Sequence, residues 1–273
     1  MPRSPVSPGM GQGMGPESTR QMRQEMAQEV GFYGKLPHLG DFVARRLPPD
    51  FVRPWDLWLQ ESLAASRAQL GDDWLGIYLT SPLWRFVLTA GIAGQTPWAG
   101  VLMPSVDRVG RYFPLTLACP LGEGVEPLLL LGETGWFERL ERVLLTSLDE
   151  SSTLATFDNL VQGLEAPAPP GPSLPHPGPP GQARTNAWRL PASSPLELQG
   201  CCAGLLSLAL AQTFCAYSLW WTSGSERVSP SGLICQGLPP TDGFSGLLGG
   251  DWRGTGWWDL APQPMAMAAA GSQ

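Results

Sequence analysis

The sequence predicts an α+β fold, a mostly antiparallel central sheet flanked by helices, and three observations predict it. Extended apolar runs follow one another across turn-rich connections, the pattern of antiparallel neighbours. Helical patterns are grouped before and after these runs and do not alternate with them, which disfavours a doubly wound parallel sheet. The chain of 273 residues is 43% apolar and carries 12 tryptophans, enough apolar surface to bury a core.

Each element follows in order. Val30 to Tyr33 reads as a short strand, followed by a loop fixed by Gly34, Pro37, Gly40, Pro48 and Pro49. Trp55, Trp58, Leu59 and Leu63 recur at helical spacing, with Pro54 suited to the first turn and Gly71 to the position past the end. Trp84, Phe86 and Leu88 alternate with Arg85, Val87 and Thr89, and the turn residues Gly94 to Pro97 lead into Trp98 to Met103, so the two runs form a hairpin. A third strand, Tyr112 to Ala118, follows the loop Pro104 to Arg111 and completes a meander. Trp136 to Leu148 and Leu154 to Val161 carry helical apolar stripes, the first with a Glu138 to Arg142 pair. Leu196 to about Ala211 reads as a buried helix, Cys215 to Thr222 as a strand and Leu233 to Gln236 as its hairpin partner.

Glycine and proline, 33 and 29 residues, are about twice as frequent as in average proteins. They concentrate in the first 18 residues and in Pro167 to Gly181, a polyproline-like connector. The expected organisation is a flexible tail over 1–29, a single domain over 30–262 interrupted by a Pro/Gly-rich loop at about 165–185, and a flexible tail over 263–273. The piece after the connector is too small to hold a core of its own.

The net charge of −7 lacks the positive footprint that phosphate backbones require, so nucleic acid is not an expected partner. The five cysteines form no CxxC pair and there are two histidines, so no zinc set and no metal is expected. Leu198 to Ser225 carries no charge and is long enough to span a bilayer. Gln212 and Thr213 in its middle, and the lack of basic clusters at its ends, favour a buried helix running into a buried strand. The expected location is the cytoplasm, with no membrane insertion.

Catalytic patterns fail on inspection. Gly31 to Leu36 contains a Gly-Lys pair, but Glu29 stands where a phosphate loop needs its first glycine and Leu36 where it needs Ser or Thr. Gly200 to Gly204 has the shape of a nucleophile elbow around Cys202, yet the available bases are His38, far upstream, and His176 in the connector. The acidic pairs Asp72/Asp73 and Glu138/Glu141 read as solvated helix residues. No catalytic residue and no cofactor is expected.

Two charged loops carry more information. PSVDRVGRYFP places Asp107, Arg108 and Arg111 on a connection between strands, where the backbone is fixed and side chains point outward. GKLPHLGDFVARRLP gathers Lys35, His38, Asp41, Arg45 and Arg46. Two readings stay open: a binding face, or internal Asp–Arg salt bridges that staple the loops. Trp221, beside Trp220 on an extended segment, has one of the pair facing away from the core and is a further interface candidate.

The stretches GKLPHLGDFVARRLPPDFVRPWDLWLQ (Gly34 to Gln60), SPLWRF (Ser81 to Phe86) and GVLMPSVDRVGRYFPLTLA (Gly100 to Ala118) closely resemble the TagF family, also called ImpM, of type VI secretion-associated proteins. SLWWTSG (Ser218 to Gly224) and GLP (Gly237 to Pro239) resemble its C-terminal portion more weakly. The resemblance implies a compact α/β sandwich, longin- or profilin-like in outline, without known catalytic residues. It also implies a cytoplasmic post-translational repressor that binds the secretion system's forkhead-associated-domain scaffold protein. The expected function is accordingly a non-enzymatic regulator, with Lys35, His38, Asp41, Arg45, Arg46, Asp107, Arg108, Arg111 and Trp221 as candidate partner-binding residues. The alternatives are a structural component of the secretion machine or a hydrolase using Cys201 or Cys202.

Overall fold

A computed structural model describes residues 28–122, 125–167, 195–253 and 256–258. Most of the two expected tails and of the Pro/Gly-rich connector lies outside the described residues. Seven strands form one sheet: β1 (Gly31–Lys35), β2 (Phe42–Arg45), β3 (Trp84–Leu88), β4 (Trp98–Met103), β5 (Leu115–Pro120), β6 (Tyr217–Thr222) and β7 (Ser231–Gln236). Their order is β2-β1-β5-β4-β3-β6-β7, antiparallel at every step. The described helices are α1 (Pro49–Leu70), α2 (Trp74–Leu79), α3 (Thr134–Thr146), α4 (Leu154–Gln162), α5 (Pro195–Thr213) and α6 (Phe244–Gly249). This is the expected α+β class. The segments on either side of the connector share the sheet, because β6 pairs with β3 along Arg85↔Trp221 to Leu88↔Ser218.

Alternation along the strands feeds two apolar layers, one on each face. Trp84, Phe86 and Leu88 of β3 turn toward α1, α2 and α6, meeting Phe51, Trp55, Trp58, Tyr78 and Phe244. Val87, with Phe32, Val101 and Leu117 of neighbouring strands, faces α3 and α4 through Phe137, Leu140, Leu144 and Phe157. Both faces being covered, all positions of β3 and β4 are buried. Arg85 also lies on the α3 side, where its Nε and Nη2 donate to Glu141 Oε1 and Oε2 at 2.7 and 2.8 Å. Glu141 is therefore not the solvated surface carboxylate expected from the sequence: a bidentate pair across the sheet–helix interface holds it. The expected Glu138–Arg142 pair is replaced by a bond from Arg142 Nε to the Glu138 carbonyl, at 3.3 Å.

Several elements differ from expectation, among them α1, which starts at Pro49 and so places Pro54 inside the helix and not in its first turn. β2 lies in the segment read as loop, and α2 and α6 stand where no helix was read. The third strand of the meander starts at Leu115, not Tyr112, because Tyr112 instead bridges back to Val106 and closes the β4–β5 connection on itself. The uncharged stretch from Leu198 to Ser225 divides between α5 and β6, and among the described residues no helix is long and apolar enough to cross a membrane.

Gly34 is a required glycine. Its φ is +137°, and a Cβ there would lie 2.1 Å from the Pro114 carbonyl oxygen. The absent side chain lets the end of β1 lie against the start of β5, which brings Lys35 beside the β4–β5 loop.

Candidate functional site

Both charged loops emerge at the same end of adjacent strands, since β1 pairs with β5. Hydrogen bonds to backbone carbonyls seat them together. The Ser105 hydroxyl donates to the Lys35 carbonyl at 2.7 Å, and the Arg108 N–H donates to the Leu39 carbonyl at 2.9 Å. Tyr78 of α2 supports the seat from below: its hydroxyl donates to the Ser105 carbonyl and accepts from the Ser105 N–H, both at 2.9 Å.

Asp107 is the centre of the arrangement. Its Oδ1 accepts from the N–H groups of Val109 and Arg111 at 3.0 and 2.9 Å. Its Oδ2 accepts from Arg111 Nε at 2.7 Å and from the Lys35 ammonium. Arg111 continues through Nη2 to the Gly40 carbonyl, so one guanidinium ties the two loops together. Lys35 Nζ also lies 4.5 Å from the centroid of the Phe42 ring. The outward orientation expected of the Asp107, Arg108 and Arg111 side chains thus fails for Asp107, whose side chain is 0% exposed, and its partner Lys35 is 3% exposed. A buried carboxylate needs paired charge and donors, and here four donors meet it.

Burial alone raises the Asp107 carboxyl, but hydrogen bonds from Lys35, from the Arg111 backbone and guanidinium, and from the Val109 N–H outweigh it and hold it well below the usual carboxylate range. Its folded value therefore lies below the value of about 3.9 for an unfolded aspartate. The stability it contributes is present above about pH 4 and is lost as pH falls through the folded value. Asp107→Asn is expected to remove this component, so that stability falls less steeply between about pH 4 and pH 2 than in the wild type. Urea-unfolding midpoints at successive pH values measure the difference.

The remaining candidates separate. Asp41, Arg108 and Arg111 are exposed around the buried Lys35–Asp107 pair, with Val109 64% exposed at the loop tip. Asp41 Oδ1 lies 3.9 Å from Arg111 Nη2. Arg45 is exposed, and its Nη1 donates to the adjacent Ala44 carbonyl at 3.0 Å. Arg46 turns away: it pairs with Asp158 of α4 at 2.6 Å and donates to the Val30 carbonyl at 2.9 Å, a staple between the sheet edge and a helix. Both His38 ring nitrogens are buried without a hydrogen-bond partner, and burial lowers its pKa, which favours the neutral imidazole.

Trp221 does not share this face. It lies on β6, four strands from β1, about 19 Å away at the usual strand spacing. Its ring packs edge-to-face on Phe137 with centroids 4.7 Å apart, which makes it part of the α3 packing layer. Sequence reasoning missed Tyr78 and Ser105, which hold the loops from beneath; the Trp74/Tyr78 spacing of four was the available signal for α2.

Among the described residues no group of three or more His, Cys, Asp or Glu could hold a metal ion. Burial pushes the thiols of Cys119 and Cys235 up to about 12, the opposite of nucleophile activation. Cys202 is exposed on α5, and His38 makes no hydrogen bond to any cysteine.

The family profile described as "TagF N-terminal domain, Type VI secretion system-associated" matches residues 31–164, from β1 to just beyond α4. The chain is also similar to a solved protein, PA0076 from Pseudomonas aeruginosa PAO1, with 40% sequence identity and a TM-score of 0.70. That likeness covers 86% of this chain and all of the other. No curated protein matches.

Proposed function

The chain belongs to the TagF family of type VI secretion-associated proteins, and from that premise we propose that it is a non-enzymatic, cytoplasmic, post-translational repressor of the secretion system. It acts by docking onto the system's forkhead-associated-domain scaffold protein and keeping it from supporting assembly. One observation carries the reading: the Lys35–Asp107–Arg111 clamp, in which Lys35 and Asp107 are buried and Arg111 reaches the surface, fixes two loops inside the profile-matched region and leaves Asp41, Arg108 and Val109 beside Arg111 on their outer side. Loops already ordered before binding lose little conformational entropy when they bind. Arginine is also among the residues that most often anchor interfaces.

Arg108 is the appropriate probe. Its backbone N–H helps seat the loops, but its side chain is exposed and takes no part in the clamp, whereas reversing Arg111 would damage the clamp and the surface together. Arg108→Glu is expected to weaken co-purification of the scaffold at least about tenfold, or 1.4 kcal/mol, with the melting midpoint unchanged. Undiminished scaffold retention by this variant would remove the loop face from the interface. Deletion of the gene separates the regulatory role from a structural one: loss of a repressor raises secretion, loss of a component abolishes it.

A further inference from the structure

Beside the clamp, between α1, α2 and the β4–β5 loop, lies an open groove of about 440 Å³ lined by Arg67, Trp74, Leu75, Gly110, Arg111 and Tyr112. We infer that this groove is a recognition site for a carboxylate-bearing segment of a partner protein. The inference deepens the regulatory reading, since it shares Arg111 with the proposed docking face and rests on that face meeting a protein.

Charge is the first argument. Arg67, in the last turn of α1, is exposed, and its guanidinium makes no ion pair with any described residue. Its guanidinium carbon lies 4.2 Å from the centroid of the Trp74 ring, and this stacking orients the planar fork while leaving its N–H edge open. Across the groove, Arg111 spends Nε on Asp107 and Nη2 on the Gly40 carbonyl, which leaves Nη1 with unused donors. Two guanidiniums thus border one groove on a chain whose net charge is −7. An arginine fork offers paired parallel N–H donors, the geometry that matches a carboxylate.

The walls are the second argument. Tyr112 stands edge-on to Trp74 with centroids 5.7 Å apart and edge-on to Tyr78 at 5.9 Å, so the aromatic floor is braced by α2. Leu75 is 40% exposed, and a Cβ built on Gly110 would meet no atom within 4 Å, so the groove is open to an entering chain. An acidic side chain places its carboxylate between the arginines, and its methylenes or an adjacent apolar residue lie on Tyr112 and Leu75. Burial against these walls strengthens the charge pairing relative to open water. The volume falls within the range of about 300–1,000 Å³ typical of sites for small groups, which fits two or three side chains of an extended segment and not a folded surface.

The test uses the full-length protein and a fluorescein-labelled peptide, Gly-Glu-Leu-Glu-Leu-Glu-Gly, with a control in which each Glu is Gln, read by fluorescence anisotropy. The wild type is expected to bind the acidic peptide and to bind it more weakly as salt rises. Arg67→Ala is expected to weaken binding at least tenfold, and Arg67→Lys, which keeps the charge but loses the stacked fork, at least threefold. Melting midpoints should fall by no more than about 4 °C, since each change weakens one exposed stacking contact. Equal binding of the Gln peptide, or unimpaired binding by both variants, overturns the inference. Scaffold co-purification runs in parallel and separates the two claims. Scaffold retention that depends on Arg108 without any acidic-peptide binding removes the groove and leaves the regulatory reading standing. Peptide binding that depends on Arg67 with no scaffold retention does the reverse.

Discussion

Lys35→Met is expected to lower the free energy of unfolding by about 3 kcal/mol, the low end of the cost of breaking a buried ion pair by removing one partner. The low end applies because Asp107 keeps Arg111 and two backbone donors when the ammonium is lost. Methionine retains the length and apolar character of the lysine stem, so the change reports on the charge and not on a cavity. The midpoint of urea unfolding should fall with an unchanged slope. A loss under about 1 kcal/mol would show the pair to be as weak as an exposed one, and the clamp would no longer account for the fixed loops.

Trp55→Ala is expected to cost more, about 4 kcal/mol, in the range for truncating a large aromatic in a packed core. The indole is fully buried. It stacks parallel to Trp220 with centroids 5.8 Å apart, lies 4.7 Å from Phe86, and donates its N–H to the Thr116 hydroxyl at 2.9 Å. The substitution therefore opens a cavity and strands a buried hydroxyl at once. Because Trp220 belongs to β6, the contact also joins the parts of the chain before and after the connector. With total stability of about 5–15 kcal/mol usual for a domain, the variant sits near its unfolding threshold. Thermal unfolding followed by near-UV circular dichroism measures the loss, and a cost below about 2 kcal/mol would contradict the assignment of this aromatic layer as the main anchor of α1.

The sequence made the long periodic elements legible. Trp55, Trp58, Leu59 and Leu63 announced α1, and the alternation of Trp84, Phe86 and Leu88 announced β3, because each repeats its period at least twice. β2 has four residues, and α2 and α6 six each, too short to show a period. The Pro104 to Arg111 connection was legible as a loop, whereas the other stretch also holds the end of β1 and all of β2, and the burial of Lys35 and Asp107 was legible in neither. Charged residue types are almost never fully buried unless paired, and here the partners stand 72 positions apart in the chain, so nothing local shows the pairing. The distance of Trp221 from the charged loops was hidden for a related reason: its neighbours are set by strand order, which inserts β5, β4 and β3 between β1 and β6. Gly34 marks the point where local and tertiary signals agree, since its positive φ and its contact with Pro114 bring the two loops together.

The central claim, that the clamped loop face is where this protein meets the secretion scaffold, is tested most directly by titrating purified scaffold into the wild type and into Arg108→Glu in a calorimeter. The account predicts saturable binding by the wild type and affinity at least about tenfold weaker for the variant, with both proteins melting at the same temperature. Equal affinity in the two proteins, or no binding by the wild type, would contradict it.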